Sequence, residues 1–149
     1  DKWVDKEYIK KWFGDKEDWL NEINERNSKY SLLKHFIVCY NDRKIGYCLY
    51  ADCCFLKDLE EKRHNFEDVY GDISEKNHTY EIGYLIGEED CLNRGVGKMI
   101  IRILEEKIIT IGGKEIASDP AEENNISLKA LLSNGFKKKS DGDYRKPIA

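Results

Sequence analysis

Short runs of alternating apolar and polar residues give way along this chain to stretches with helical spacing. His35–Tyr40 and Lys44–Ala51 are rich in β-branched and aromatic residues. They predict two antiparallel strands joined by a polar turn at Asn41, Asp42 and Arg43. Thr79–Ile86 (TYEIGYLI) predicts another strand, Lys114–Asp119 a short one blocked by Pro120, and Phe136–Lys139 with Asp143–Lys146 a closing hairpin around Asp141 and Gly142. Three segments predict helices. Asp15 is the expected N-cap of one whose stripe of Trp19, Leu20 and Ile23 runs to about Asn27. Gly97–Ile111 is the strongest, with Val96, Ile100, Ile103, Leu104, Ile108 and Ile111 expected on its buried side and Gly112 and Gly113 as its stop. Asn124–Ser133 is the third, closed by Asn134 and Gly135. The opening residues, DKWVDKEYIKKWF, read as the end of a helix and a connection. Residues 52–78 are acidic, polar and weakly periodic, predicting a long excursion with one helical turn near Leu59. The order of elements defines a mixed α/β (α+β) layer protein.

Composition narrows the function. A chain of 149 residues with 40% hydrophobic content fits a single domain over 1–149. Charge is abundant but interleaved, and the net charge of −4 comes without the basic stripe of a nucleic-acid binder. No apolar run approaches the roughly 20 residues that span a bilayer. The five cysteines (Cys39, Cys48, Cys53, Cys54 and Cys91) are odd in number and lack ligand spacing. They read as reduced thiols of a cytoplasmic protein, with no metal site expected at them or at His35, His64 and His78.

The chemistry concentrates after the third predicted strand, where Arg94-Gly95-Val96-Gly97-Lys98 opens the long helix. Glycines allow successive backbone amides to converge, and a helix N-terminus adds partial positive charge, so this loop is an expected anion cradle. Met99 follows Lys98 where a Walker loop needs Ser or Thr, and Ile100 stands where a dinucleotide fingerprint needs glycine. A glycine-rich helix start with no ligand is the alternative reading of the loop taken alone.

Support for the cradle comes from a resemblance to the GNAT superfamily, the Gcn5-related N-acetyltransferases. Leu92-Asn93-Arg94-Gly95-Val96-Gly97 resembles the family's Q/R-x-x-G-x-G/A signature, with Leu92 departing from the usual Gln or Arg. Downstream, Asn124, Ser127, Leu131, Gly135 and Phe136 fit its N-x-x-S-x-x-x-L-…-G-F stretch. Asp119-Pro120 is similar to aminoglycoside 6′-N-acetyltransferases, the nearest members. The resemblance runs from about His35 to Lys146, and the family's first strand is expected to be missing before Asp1.

The resemblance implies a mostly antiparallel central sheet, flanked by helices and splayed between the family's fourth and fifth strands, here Thr79–Ile86 and Lys114–Asp119. It implies acetyl-coenzyme A as cosubstrate, its pantetheine on the backbone of Leu85 and Ile86, its pyrophosphate on Arg94, Gly95, Val96, Gly97 and Lys98, and Asn124 reaching the pantetheine. Without the resemblance, Asn124 reads as a helix cap. An acceptor amine with a solution pKa near about 10 must lose a proton before it attacks the thioester. Glu81 is the first candidate base and Asp119 the second. No acid stands at Leu131, where the family often has a Tyr, and Tyr84 and Tyr144 are the substitutes. The acidic 52–78 insertion, with Asp52, Glu67 and Asp68, is expected to help wall a cationic small-molecule amine, an aminoglycoside first among them. A protein N-terminus or lysine is the second acceptor reading, because Tyr80–Tyr84 also resembles ribosomal-protein acetyltransferases. A non-catalytic acyl-coenzyme A-binding module is the third. Trp3, Trp12 and Phe13 suit an acceptor pocket or a homodimer contact equally.

Overall fold

The structure, a computed structural model, describes residues 2–13, 15–28, 31–59, 69–121, 123–139 and 143–148, without the side chains of Trp12 and Phe13. The opening segment is a turn followed by helix α1 (Glu7–Phe13), where a helix end and a connection are expected. Helix α2 (Lys16–Asn24) starts where its cap predicts, Asp15 Oδ1 accepting from the Glu17 N–H at 3.0 Å, and stops three residues before Asn27.

Strands β1 (Lys34–Tyr40) and β2 (Arg43–Asp52) form the expected hairpin on a two-residue turn. Asn41 (φ 47°) and Asp42 (φ 62°) both take the left-handed conformation of a type I′ turn, and Arg43 already pairs with Tyr40. Asp52 caps a short helix, α3 (Cys53–Asp58), which ends before the residue where a helical turn was expected. There follow β3 (Thr79–Ile86), a 3₁₀ turn (Glu89–Cys91), helix α4 (Val96–Thr110), β4 (Glu115–Ser118), helix α5 (Asn125–Ser133), β5 (Lys137–Lys138) and β6 (Tyr144–Pro147). Asp141 and Gly142, the predicted hairpin turn, lie outside the described residues.

The six strands form one open sheet in the order β1-β2-β3-β4-β6-β5, antiparallel throughout except for β3 with β4. Period-two alternation divides β3 between two cores. Tyr80 and Ile82 join Cys48, Ile116, Leu131 and Phe136 beneath α4 and α5, with Tyr84 and Ile86 packed against them. Leu85 joins Tyr47, Trp3 and Ile9 on the opposite face, while Ala51 and Ala117 there meet Cys53, Leu56 and Tyr70.

Helix α4 buries Gly97, Ile100, Ile101, Leu104 and Ile108. Two positions expected inside, Ile103 and Ile111, are 49% and 43% exposed, and Ile101 takes their place. The steps from 97 to 101, 104 and 108 keep one helical face, whereas Ile103 sits roughly 100° around the helix from Leu104. Leu104 is fully buried. Leu104→Ala should cost about 2–5 kcal/mol in urea unfolding, the range for deleting a large core side chain.

Candidate active site

Strand β3 pairs with β4 over three residues only, Thr79–Glu81 against Glu115–Ala117. Beyond Glu81 the two strands part, which opens the sheet between them. The ladder fixes which groups of β3 face that opening. The Gly87 N–H donates to the Ile45 carbonyl at 2.7 Å, so alternation makes Leu85, Gly83 and Glu81 the hydrogen-bonded partners of Tyr47, Leu49 and Ala51. The main-chain groups of Ile82, Tyr84 and Ile86 are thereby turned toward the opening, and those of Leu85 toward β2.

The upper end of the opening is closed by the N-terminal segment. Trp3 packs so tightly on Gly87 that a Cβ there would lie 2.2 Å from the indole. Trp3 Nε1 donates to Glu88 Oε1 at 2.7 Å, and Lys6 Nζ donates to the Gly87 carbonyl at 2.7 Å. The Tyr8 hydroxyl reaches the Ile86 and Gly87 carbonyls at 3.1 and 3.0 Å.

The predicted cradle lies beside this edge. Asn93 (φ 58°) and Gly95 (φ 77°) are both left-handed, which swings the chain directly into α4. The first N–H groups of a helix have no partner within it, so those of Val96, Gly97 and Lys98 stand at its mouth beside exposed Arg94 and Lys98. Gly97 is buried, and a Cβ on it would come 2.9 Å from the Tyr84 hydroxyl. That hydroxyl also hydrogen-bonds Ser127 in α5. Tyr84 thus joins β3 to the starts of both helices, and its burial keeps the phenol protonated. The arrangement fits a diphosphate: converging amides, two cations, and no side chain within 4 Å of where a Cβ on Gly95 would project.

Glu81 sits where the strands part, in register with Ala51 on one side and Ala117 on the other. Burial lifts its carboxyl to about 7, the charges of Asp119 and Glu22 push the same way, and a hydrogen bond from Tyr70 opposes them. The Tyr70 hydroxyl donates to Glu81 Oε1 at 2.9 Å from a wholly buried ring. A carboxyl poised near neutrality is suited to proton transfer. Asp119, just past the end of β4, is exposed.

The other predicted residues are placed differently. Asp52 faces the opposite, paired end of β3, and its two oxygens accept from the main-chain N–H groups of Cys54 (2.9 Å) and Asn77 (2.7 Å). It pins the start and the finish of the insertion. Asn124 caps α5, accepting from the Ser127 N–H at 3.3 Å. Tyr144 is a core residue. Glu67 and Asp68 lie outside the described residues. Sequence reading passed over Tyr70 and Glu22. Tyr70 sits in a segment without periodicity, and Glu22 on a charged helix, where nothing local marks either. All five cysteines are free, and among the described residues no group of His, Cys, Asp and Glu is arranged to hold a metal. No helix among them is long and apolar enough to cross a membrane.

This combination of a parted sheet, a glycine cradle and a half-buried carboxyl agrees with comparison to known proteins. Residues 2–136 match the acetyltransferase (GNAT) family, and the chain belongs to it. It is an N-acetyltransferase by class. The fold is similar to that of aminoglycoside acetyltransferase AAC(6')-Ib solved with coenzyme A and kanamycin (TM-score 0.72, 18% identity, covering 97% of this chain and 85% of that one). A structure of AAC(6')-Ib holding acetyl-coenzyme A gives 0.73, at 18% identity over 97% and 84% of the two chains. The aminoglycoside N(6')acetyltransferase of Legionella pneumophila subsp. pneumophila str. Philadelphia 1 gives 0.66, at 15% identity over 98% and 83%. No curated protein sequence matches the chain.

Proposed function

We propose that this protein transfers the acetyl group of acetyl-coenzyme A to a primary amine of a cationic small molecule, an aminoglycoside first, by direct transfer in a ternary complex. The observation that carries the reading is Glu81: a half-buried carboxyl at the parting of β3 and β4, raised to about 7. The amine nitrogen bonds to the acetyl carbonyl carbon while the carbon–sulfur bond breaks. Glu81 takes the ammonium proton before attack and later returns it to solvent, while the second proton of the attacking nitrogen passes through water to the departing sulfur, so that an amide and free coenzyme A thiol result. The cosubstrate supplies the activated acyl group. Around it the chain offers the amides of residues 96–98 with Arg94 and Gly95 to the diphosphate, and the main-chain groups of Tyr84 and Ile86 beside Leu85 to the pantetheine. The Asn124 side chain adds a polar group at the start of α5.

Carboxylates favour a cationic acceptor. Glu22 and Asp119 both act electrostatically on Glu81, and a polyamine or aminoglycoside brings the charge that offsets theirs. Similarity of fold to aminoglycoside enzymes supports the same choice. Asp52, taken up by two backbone amides, serves the insertion rather than the acceptor. Free, mostly buried thiols suit the reducing cytoplasm.

The test is release of free thiol from acetyl-coenzyme A in the presence of aminoglycosides, polyamines and N-terminal or lysine peptides. Turnover should appear with aminoglycosides or polyamines, and kcat/KM should rise with pH through about 7 as Glu81 loses its proton. Turnover with peptides alone would replace the acceptor by a protein. Tight coenzyme A binding with no turnover on any amine would leave a binding module.

A further inference from the structure

Glu81 receives a hydrogen bond from a residue eleven positions away in sequence, carried on the segment that precedes β3. What fixes that segment is an ion cluster on the same face of the sheet as Glu81, two strands away in register through Ala117. Arg145 of β6 is only 7% exposed. Its Nε bonds Asp143 Oδ2 at 2.5 Å and its Nη1 bonds Glu115 Oε1 of β4 at 3.3 Å, which ties the guanidinium to the sheet. Its remaining reach goes to the insertion. Nη2 donates to the Val69 carbonyl at 3.5 Å and to Asp72 Oδ1 at 3.1 Å, and Nη1 to Asp72 Oδ2 at 3.3 Å. Lys139 Nζ holds Asp72 Oδ2 as well, at 2.9 Å. Between these two anchor points lies Tyr70, its ring 5.7 Å from the guanidinium carbon and its hydroxyl on Glu81.

We propose that Arg145 is a positioning residue for the catalytic base, gripping Val69 and Asp72 so that the Tyr70 hydroxyl stays on Glu81. The inference rests on the reading of Glu81 as that base. Among the described residues, the groups that act on Glu81 are Glu22 from α2, Cys53 from α3, Tyr70, and Asp119 beyond β4. Burial keeps both the Cys53 thiol and the Tyr70 phenol protonated. Tyr70 is therefore the donor that stabilises the Glu81 carboxylate, and the two acids oppose it. Losing that donor raises the pKa of Glu81, so the enzyme needs a higher pH to reach full activity.

The experiment titrates Glu81 in the whole protein by carbon NMR with labelled glutamate, the signal assigned by its loss in Glu81→Gln. Tyr70→Phe should move the titration upward by about one pH unit, the worth of one hydrogen bond to a carboxylate. Asp72→Ala releases one anchor yet leaves Arg145 bound to Asp143 and Glu115, so it is the variant most certain to fold. It should move the titration the same way by a smaller amount, and the Tyr70→Phe/Asp72→Ala double variant no further than Tyr70→Phe alone. An unmoved titration in Asp72→Ala, or additive shifts in the double variant, would overturn the clamp. The acid limb of kcat/KM should follow each NMR shift. If the NMR titration moves as expected and the limb stays, the clamp stands and Glu81 is not the base.

Discussion

Glu81→Gln will lower kcat by roughly 10²- to 10⁴-fold, the span for removing a positioned general base, while the affinity for coenzyme A stays within a few-fold of its starting value. Glutamine keeps the size of the side chain and an oxygen to accept from Tyr70, so the buried surroundings persist and only the proton acceptor is lost. Thiol release at saturating acceptor gives the first quantity, and calorimetry with coenzyme A gives the second. The pH profile sharpens the assignment. With Glu81 raised to about 7, the parent enzyme should gain activity between pH 6 and 8, and the residual activity of the variant should lose that rise. Asp119→Asn separates the two candidate acids. It removes a neighbouring negative charge, so it should move the rise to lower pH while keeping most of kcat. A collapse of kcat in Asp119→Asn, with Glu81→Gln active, would transfer the role.

Gly97→Glu will weaken coenzyme A binding by at least about 100-fold, on the order of 3 kcal/mol or more. Two effects add at this position. The Cβ alone would stand 2.9 Å from the Tyr84 hydroxyl and 3.1 Å from its ring, forcing the tyrosine off the cradle. The carboxylate then places negative charge at the mouth of α4, where the helix dipole and the adjacent cations favour an anionic ligand. Gly97→Ala isolates the first effect and should cost much less, because the tyrosine tip can swing away. Calorimetry with coenzyme A and with acetyl-coenzyme A measures both variants, and circular dichroism confirms that each is folded. Unaltered binding in Gly97→Glu would remove the cradle from the account.

The elements with one dominant pattern were readable from residues alone. β3, with its alternating TYEIGYLI, and the β1–β2 hairpin, with its Asn-Asp turn, occupy nearly the expected residues. The positions of the glycine loop at a helix start and of Glu81 on β3 were legible, because backbone requirement and strand alternation mark them. Three other features were hidden for physical reasons. Helix α4 carries isoleucine almost all round, so composition could not distinguish Ile101, which is inside, from Ile103, which is half exposed. The capping role of Asp52 was hidden because the helical turn was expected near Leu59, whereas the helix starts at Cys53. Tyr70 and Arg145 matter through contacts that span 11 and 76 residues, and no local period encodes a contact of that kind.

The short seam between β3 and β4 divides the molecule into two rafts joined by three rungs. One raft carries Glu81. The other carries Asp119, Glu115 and the guanidinium of Arg145, on strands β4 and β6. The tether that runs from Arg145 through Asp72 to Tyr70 crosses from the second raft to the first on the face that carries Glu81. The carboxyl on one raft is therefore held, through a single tyrosine, by charges that belong to the other.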